Sequence, residues 1–199
     1  MLVYDIEIIR AIPGREPRED GVEYCNGWDD HANMGVSVAC AFDYVDMRWR
    51  VFCGDNLQEF SELCARRDVL VSFNGLGFDN KVLRASGVAI DDEKCYDLLV
   101  AIWLAAGLGP KFVYPSHAGY GLDAVCAANF GTRKSGDGAR APVQWQRGEI
   151  GSVIDYCLND VRMTKQILDR VLTQGKLKSP KAPYGDLVIR ELRHEAKNG

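Results

Sequence analysis

The chain has 199 residues, 47% of them hydrophobic and 26% charged, with a net charge of −4 at pH 7. That length suits one domain with its own core, and no apolar run is long enough for a membrane-spanning helix. The acidic balance argues against a protein that coats duplexes by charge alone. The seven scattered cysteines, without a CxxC pair, argue against a disulfide framework or a zinc knuckle.

Residues 2–7 alternate and are β-rich, so a first strand is expected there. This start lacks the basic segment and apolar core of a signal peptide, so a cytoplasmic protein is expected. Residues 10–33 are polar and carry Pro13 and Pro17, which predicts a long loop of the kind that often carries function. Strands are expected over Gly35–Phe42 and Arg48–Phe52, joined by a short turn. Leu57, Phe60, Leu63 and Cys64 fall at helical spacing between Asn56 and Arg67, with Asn56 placed to cap. The continuous apolar run Val69–Phe73 reads as a buried strand.

Helices are expected next over Phe78–Ala85, Leu98–Ala106 and Leu122–Phe130, with Asp97 as the N-cap of the second. Residues 132–148, rich in glycine and basic residues, read as loop. A long helix should follow from about 150 to 173, with Val153, Ile154, Cys157, Leu158, Val161, Ile167, Leu168, Val171 and Leu172 as its apolar stripe. Leu187–Ile189 is a candidate short strand in a lysine-rich tail, 175–199, in which Lys176, Lys178 and Lys181 are expected to be solvated. The fold class is therefore α/β, a mixed sheet flanked by helices, with a domain over 1–174 and a basic tail over 175–199 that is a candidate to pack on it.

Three short segments carry the chemistry. Residues two apart on a strand share a face, so Asp5 and Glu7 project together with Ile6 behind them. Residues four apart on a helix share a face, so Tyr156 and Asp160 project together. Asp79 follows the turn Asn74-Gly75-Leu76-Gly77-Phe78, after a buried strand, where open sheets place ligands. Converging carboxylates repel one another unless cations lie between them. Four of them, with no histidine or cysteine expected nearby, suit magnesium or manganese, and two such ions can clamp the attacking and leaving oxygens of a displacement at phosphorus. Tyr156 would orient the attacking water. Cys157 abuts this segment, but no base is evident that would make it a nucleophile.

Asp5-Ile6-Glu7, Asn74–Asp79 and Tyr156–Asp160 together resemble the motifs of the DEDD exonucleases of the ribonuclease H-like superfamily: D-x-E, N-x-x-x-[FY]-D and Y-x-x-x-D. Asp155, not histidine, stands five before Asp160, so the tyrosine (DEDDy) subtype fits. The segments look most like the proofreading domain of family B DNA polymerases and its stand-alone relatives. The resemblance spans residues 2 to about 172, with sharp matches confined to the motifs. It implies a ribonuclease H-like fold, two divalent cations (Mg2+ or Mn2+) held by Asp5, Glu7, Asp79 and Asp160, and Tyr156 beside them. Ile6, Ile8, Asn74, Gly75 and Phe78 would meet the substrate. Ile8 stands where the family often has threonine, which bears on the grip of the 3′ end.

The implied reaction is hydrolysis from the 3′ end of single-stranded or frayed DNA, releasing nucleoside monophosphates. A 3′–5′ exoribonuclease and a non-catalytic nucleic-acid-binding module are the alternatives, and a polymerase or helicase partner is left unknown. His31, His117 and His194 are expected to be exposed. Arg133, Lys134, Arg140 and Arg147 form either a solvated loop or a phosphate-steering strip. Trp28, Trp145 and Tyr120 have either core roles or stacking roles against unpaired bases.

Overall fold

Alternation at the N-terminus produces the central strand of the molecule. The computed structural model describes residues 1–14, 17–132 and 138–189. In it, β1 (Leu2–Ile8) pairs antiparallel with β2 (Val36–Asp43) and parallel with β4 (Leu70–Ser72). Beyond β2 lies β3 (Arg48–Cys53), antiparallel to it, and beyond β4 lies β5 (Cys95–Asp97), parallel to it. The sheet order is β3-β2-β1-β4-β5, the mixed α/β sheet expected. Only three residues long, β5 gave no alternation to read in advance.

Each face of the sheet has its own core. Leu2, Tyr4, Ile6 and Ile8 pack with α2 (Leu57–Ala65) and α3 (Asp79–Ala85). Val3, on the other face, packs with α4 (Leu98–Ala105), α5 (Leu122–Phe130) and α7 (Ile150–Gln174). Asp5 and Glu7 share the face of Val3, beneath α7. The register of β1 and β2 slips between Glu7 and Ile8, where Ser37 is the extra residue and its hydroxyl donates to the Ile8 carbonyl at 3.2 Å. Such bulges re-aim side chains beside functional sites.

The stripe of α7 is buried at Val153, Cys157, Val161, Ile167, Leu168 and Val171, whereas Leu172, expected in the stripe, is exposed. Gly175, at φ 66°, ends the helix by donating its N–H to Val171. Past it, β6 (Lys176–Lys178) pairs with β7 (Asp186–Val188), and Leu177, Leu187 and Ile189 enter the α7 core. The segment 175–189 therefore packs on the same body as the rest.

Several local expectations are corrected. Asn56 precedes α2 without capping it, because its side chain turns back to accept the Cys53 N–H at 2.7 Å. Part of the expected loop 132–148 is helical: α6 (Ala141–Gln146) has Pro142 at its N-terminal end, where a missing N–H costs nothing. The long loop 10–33 leads into a short helix, α1 (His31–Met34). His117 is buried rather than exposed, with Nε2 2.9 Å from the Gly109 carbonyl and Nδ1 2.9 Å from the Ser116 hydroxyl. Lys181 is not simply solvated, since Nζ donates to Ser116 at 2.8 Å over the Tyr120 ring. Arg133, Lys134 and His194 lie outside the described residues.

Candidate active site

One cleft, of ≈330 Å³, is lined by Asp5, Glu7, Asp79, Tyr156 and Asp160, together with Ile6, Asn74 and Phe78. Three separate elements deliver these side chains. Asp5 and Glu7 come from β1, under α7. Cys157 on that helix donates its thiol to the Asp5 carbonyl at 3.4 Å and lies 3.7 Å from Asp5 Oδ2. One ligand atom each from Asp5, Glu7 and Cys157 lies within 4.8 Å of the others, so a cysteine does stand beside the carboxylates, contrary to expectation, because the helical period of α7 turns it toward β1. Burial, then a hydrogen bond with Cys40 and the charges of Asp5 and Glu7, pushes the Cys157 thiol well above its ordinary range. It remains a neutral donor, not a nucleophile.

The second element is the turn between β4 and α3. Asn74 sits at φ 73°, in the left-handed region that asparagine tolerates better than most residues. Its carbonyl accepts the N–H groups of Gly77 and Phe78 at 3.1 and 3.0 Å. A Cβ at Gly77 would collide with the Asn74 side chain, and one at Gly75 with Ser72 Oγ. Gly75 thus faces inward, toward Ser72 and Tyr4, and does not line the cleft, unlike Asn74 and Phe78. Ile8 lies in the adjoining groove instead.

Asp97 holds this turn in place. Its carboxylate accepts from Asn74 N at 2.9 Å and Leu76 N at 3.1 Å, and also caps α4 through Leu99 N at 3.0 Å and Val100 N at 3.4 Å. The capping role was expected. The grip on the turn was not, because its partners are backbone amides that leave no mark in the sequence.

The third element is α7, where Tyr156 and Asp160 stand one turn apart. Asp160 is buried, and Tyr156 is half-buried against Gly138. A Cβ at Gly138 would approach the Tyr156 hydroxyl to 3.1 Å. Gly138 gave no signal in a stretch already rich in glycine.

Electrostatics favour a cation here. Burial, aided by the charges of Asp97 and Asp160, pushes the Asp79 carboxyl up to about 7, against hydrogen bonds from its own N–H and that of Ile6. Carboxylates crowded in this way are relieved by a dication, and an oxygen donor set suits magnesium or manganese. The residues present therefore fit a hard divalent ion.

A second, larger space of ≈670 Å³ opens from the same cleft and shares Ile6, Glu7, Phe78, Gly138 and Tyr156 with it. Its other walls are apolar: Ile8, Ile12, Pro13, Trp28 and Pro142. Trp28 is 69% exposed and stands edge-on to Phe78, with ring centres 5.9 Å apart. Of the other aromatic candidates, Tyr120 is buried and Trp145 packs on the α7 core. His31 lies against Phe78 at 6.0 Å.

Glu23, in the polar stretch whose Ile12, Pro13 and Trp28 line this groove, is fastened to α6. Gln146 Nε2 donates to the carbonyls of Ile9 and Glu23, and Gln146 Oε1 accepts the Glu23 N–H at 2.7 Å. Arg140 and Arg147, candidates for a phosphate strip, both pair with Glu19, at 2.5 and 2.6 Å.

A family model described as RNase_H superfamily (RNase_H_2) matches residues 54–172, more than half of the chain. The chain belongs to the RNase H superfamily. The match covers the Asn74–Asp79 turn and α7 up to Leu172, and begins after β1. Among solved structures, the family B DNA polymerase of the hyperthermophilic archaeon Pyrobaculum calidifontis is similar at a TM-score of 0.43 and 16% identity. That similarity covers 86% of this chain and 24% of the polymerase, so the chain spans about a quarter of that protein's length. No curated protein matches. Among the described residues of this superfamily member, no helix is long and apolar enough to cross a membrane.

Proposed function

We propose that this RNase H superfamily protein is a metal-dependent 3′–5′ exonuclease of the tyrosine subtype, acting on single-stranded or frayed DNA ends and releasing nucleoside monophosphates. The observation that carries the proposal is the single cleft that Asp5, Glu7, Asp79, Tyr156 and Asp160 line together. The 3′–5′ polarity rests on the motif resemblance.

Asp5, Glu7, Asp79 and Asp160 would hold two divalent cations. When bound, such ions activate water and neutralise charge on the reacting phosphate. The side chains around them position the reactants. The Tyr156 hydroxyl, beside Gly138 in the cleft, orients the attacking water by hydrogen bonding. A free phenol ionises only near about pH 10, so this group acts as a guide rather than as the base. Asn74 and Phe78 border the terminal nucleotide, and Ile8 lies under its base in the adjoining apolar groove. Asp97 touches none of the reactants and acts as a positioning residue for the turn.

Substitution of Asp5 tests the reading. Asp5→Ala should abolish digestion of a labelled single strand in manganese while the thermal unfolding transition is kept. Undiminished digestion by the variant would rule out the metal-cleft reading.

A further inference from the structure

Arg140 and Arg147 flank α6, one on each side, and both turn to the same carboxylate. Arg140 Nη1 lies 2.5 Å from Glu19 Oε1, and Arg147 Nη2 lies 2.6 Å from Glu19 Oε2. Two guanidiniums closing on the two oxygens of one anion form the geometry that also grips a phosphate. Among the described residues, Glu19 is the carboxylate that both engage.

The position of Glu19 is built rather than accidental. Its N–H donates to the Tyr24 hydroxyl at 3.0 Å, Arg18 lies over the Tyr24 ring, and Tyr24 bridges to Ala11. Arg140 stands beside the groove, since Gly138, Ala139 and Pro142, its neighbours in the chain, line it, and Arg147 reaches the same Glu19 carboxylate. All three charged side chains remain partly open to solvent, at 50, 48 and 34%. Ion pairs of such exposure contribute little to stability and exchange partners readily.

We propose that Arg140 and Arg147 form a backbone-phosphate site for the strand that leads into the cleft, and that Glu19 occupies this site in the free protein until a phosphodiester displaces its carboxylate. The proposal rests on the nuclease reading for the direction of the strand, and not for the anion site itself. It accounts for how a chain of net charge −4 draws in a polyanion only where two arginines are uncovered. Internal competition by Glu19 weakens binding to any strand too short to span both cleft and arginines.

The test is anisotropy of a 5′-fluorescein-labelled single-stranded DNA, in EDTA so that the strand stays intact, across a salt series. Glu19→Gln should tighten binding by about threefold or more. The double variant Arg140→Gln/Arg147→Gln should weaken binding and flatten the salt dependence by about 0.7 in log–log slope for each phosphate no longer neutralised. The deciding variant combines all three changes: the gain from Glu19→Gln should vanish once the arginines are gone.

A gain that persists without the arginines would mark a general charge effect and overturn the site. So would binding unchanged or weakened in Glu19→Gln protein that keeps its thermal transition. Should Glu19→Gln fail to fold, Arg147→Gln carries the test instead: it should weaken binding and flatten the salt slope by about 0.7, and an unchanged affinity and slope would overturn the site. Wild-type digestion alongside a failed Glu19 test would remove only this site. Absent digestion alongside a passed test would remove only the nuclease reading.

Discussion

The Asp97 carboxylate accepts the Asn74 N–H at 2.9 Å and so ties the turn after β4 to the start of α4. One side chain serves four backbone donors, two in the turn and two in the helix. Through the turn it fixes where Asn74, Phe78 and Asp79 stand, and its own charge helps raise the pKa of Asp79. Asp97→Ala should therefore cost about 3 kcal/mol, combining a lost helix cap with buried donors left unmet. Asp97→Asn, which keeps an acceptor oxygen, should cost less. The signature of a positioning role is a loss of kcat in both variants at saturating metal, measured with thermal unfolding on the same samples. Unchanged kcat in a destabilised Asp97→Ala protein would reduce Asp97 to a cap.

The stabilisation that Asp79 contributes to the metal-free protein should be lost as pH rises from about 4 to about 7. An unfolded aspartate ionises near about pH 4, whereas burial and the charges of Asp97 and Asp160 hold folded Asp79 at about 7. A raised carboxyl pKa favours the folded state fully below the unfolded value, and that contribution is lost as pH rises through the folded one. Between wild type and Asp79→Asn in EDTA, the Tm difference should therefore shift steadily against wild type from pH ~4 to ~7 and then level off. Added manganese should stabilise wild type most at the upper end of that range. Parallel curves for the two proteins would show that Asp79 titrates as an ordinary surface carboxylate.

Trp28 is exposed and makes its described ring contact with Phe78. A large aromatic left open beside the cleft is available to stack on an unpaired base. Trp28→Ala should leave the Tm within about 1 °C, as expected for an exposed side chain, and weaken single-strand affinity by roughly fivefold or more. A strand ending in an abasic residue should bind wild type and variant alike. Equal affinity of both proteins for the normal strand would leave Trp28 without a role in binding.

The four carboxylates and the tyrosine of the cleft were legible in the sequence for a specific reason. Asp5–Glu7 and Tyr156–Asp160 lie on regular elements whose periods fix which side chains share a face. Phe78 and Asp79 lie where a short turn leaves little freedom. What the sequence hides depends on backbone partners or on small residues. The second duty of Asp97 is to amide groups more than twenty positions earlier, and any residue type supplies those. Gly138 matters only because the Tyr156 hydroxyl lies beside it. Helix α6 is short, and its Pro142 reads as a breaker until its position at the first turn is known. His117 is polar in sequence yet buried, since nearby carbonyls and a hydroxyl surround its ring.

The proposed metal-dependent nuclease activity is tested most sharply by the product ladder from a single-stranded DNA labelled at its 5′ end, run beside a matched RNA, in manganese. The expected ladder shortens one nucleotide at a time from the 3′ end of the DNA and is absent with Asp5→Ala. A bulky group that blocks the 3′ hydroxyl should protect the strand. Internal cuts on the blocked strand, or an undiminished ladder from Asp5→Ala, would refute a 3′–5′ exonuclease built on these carboxylates.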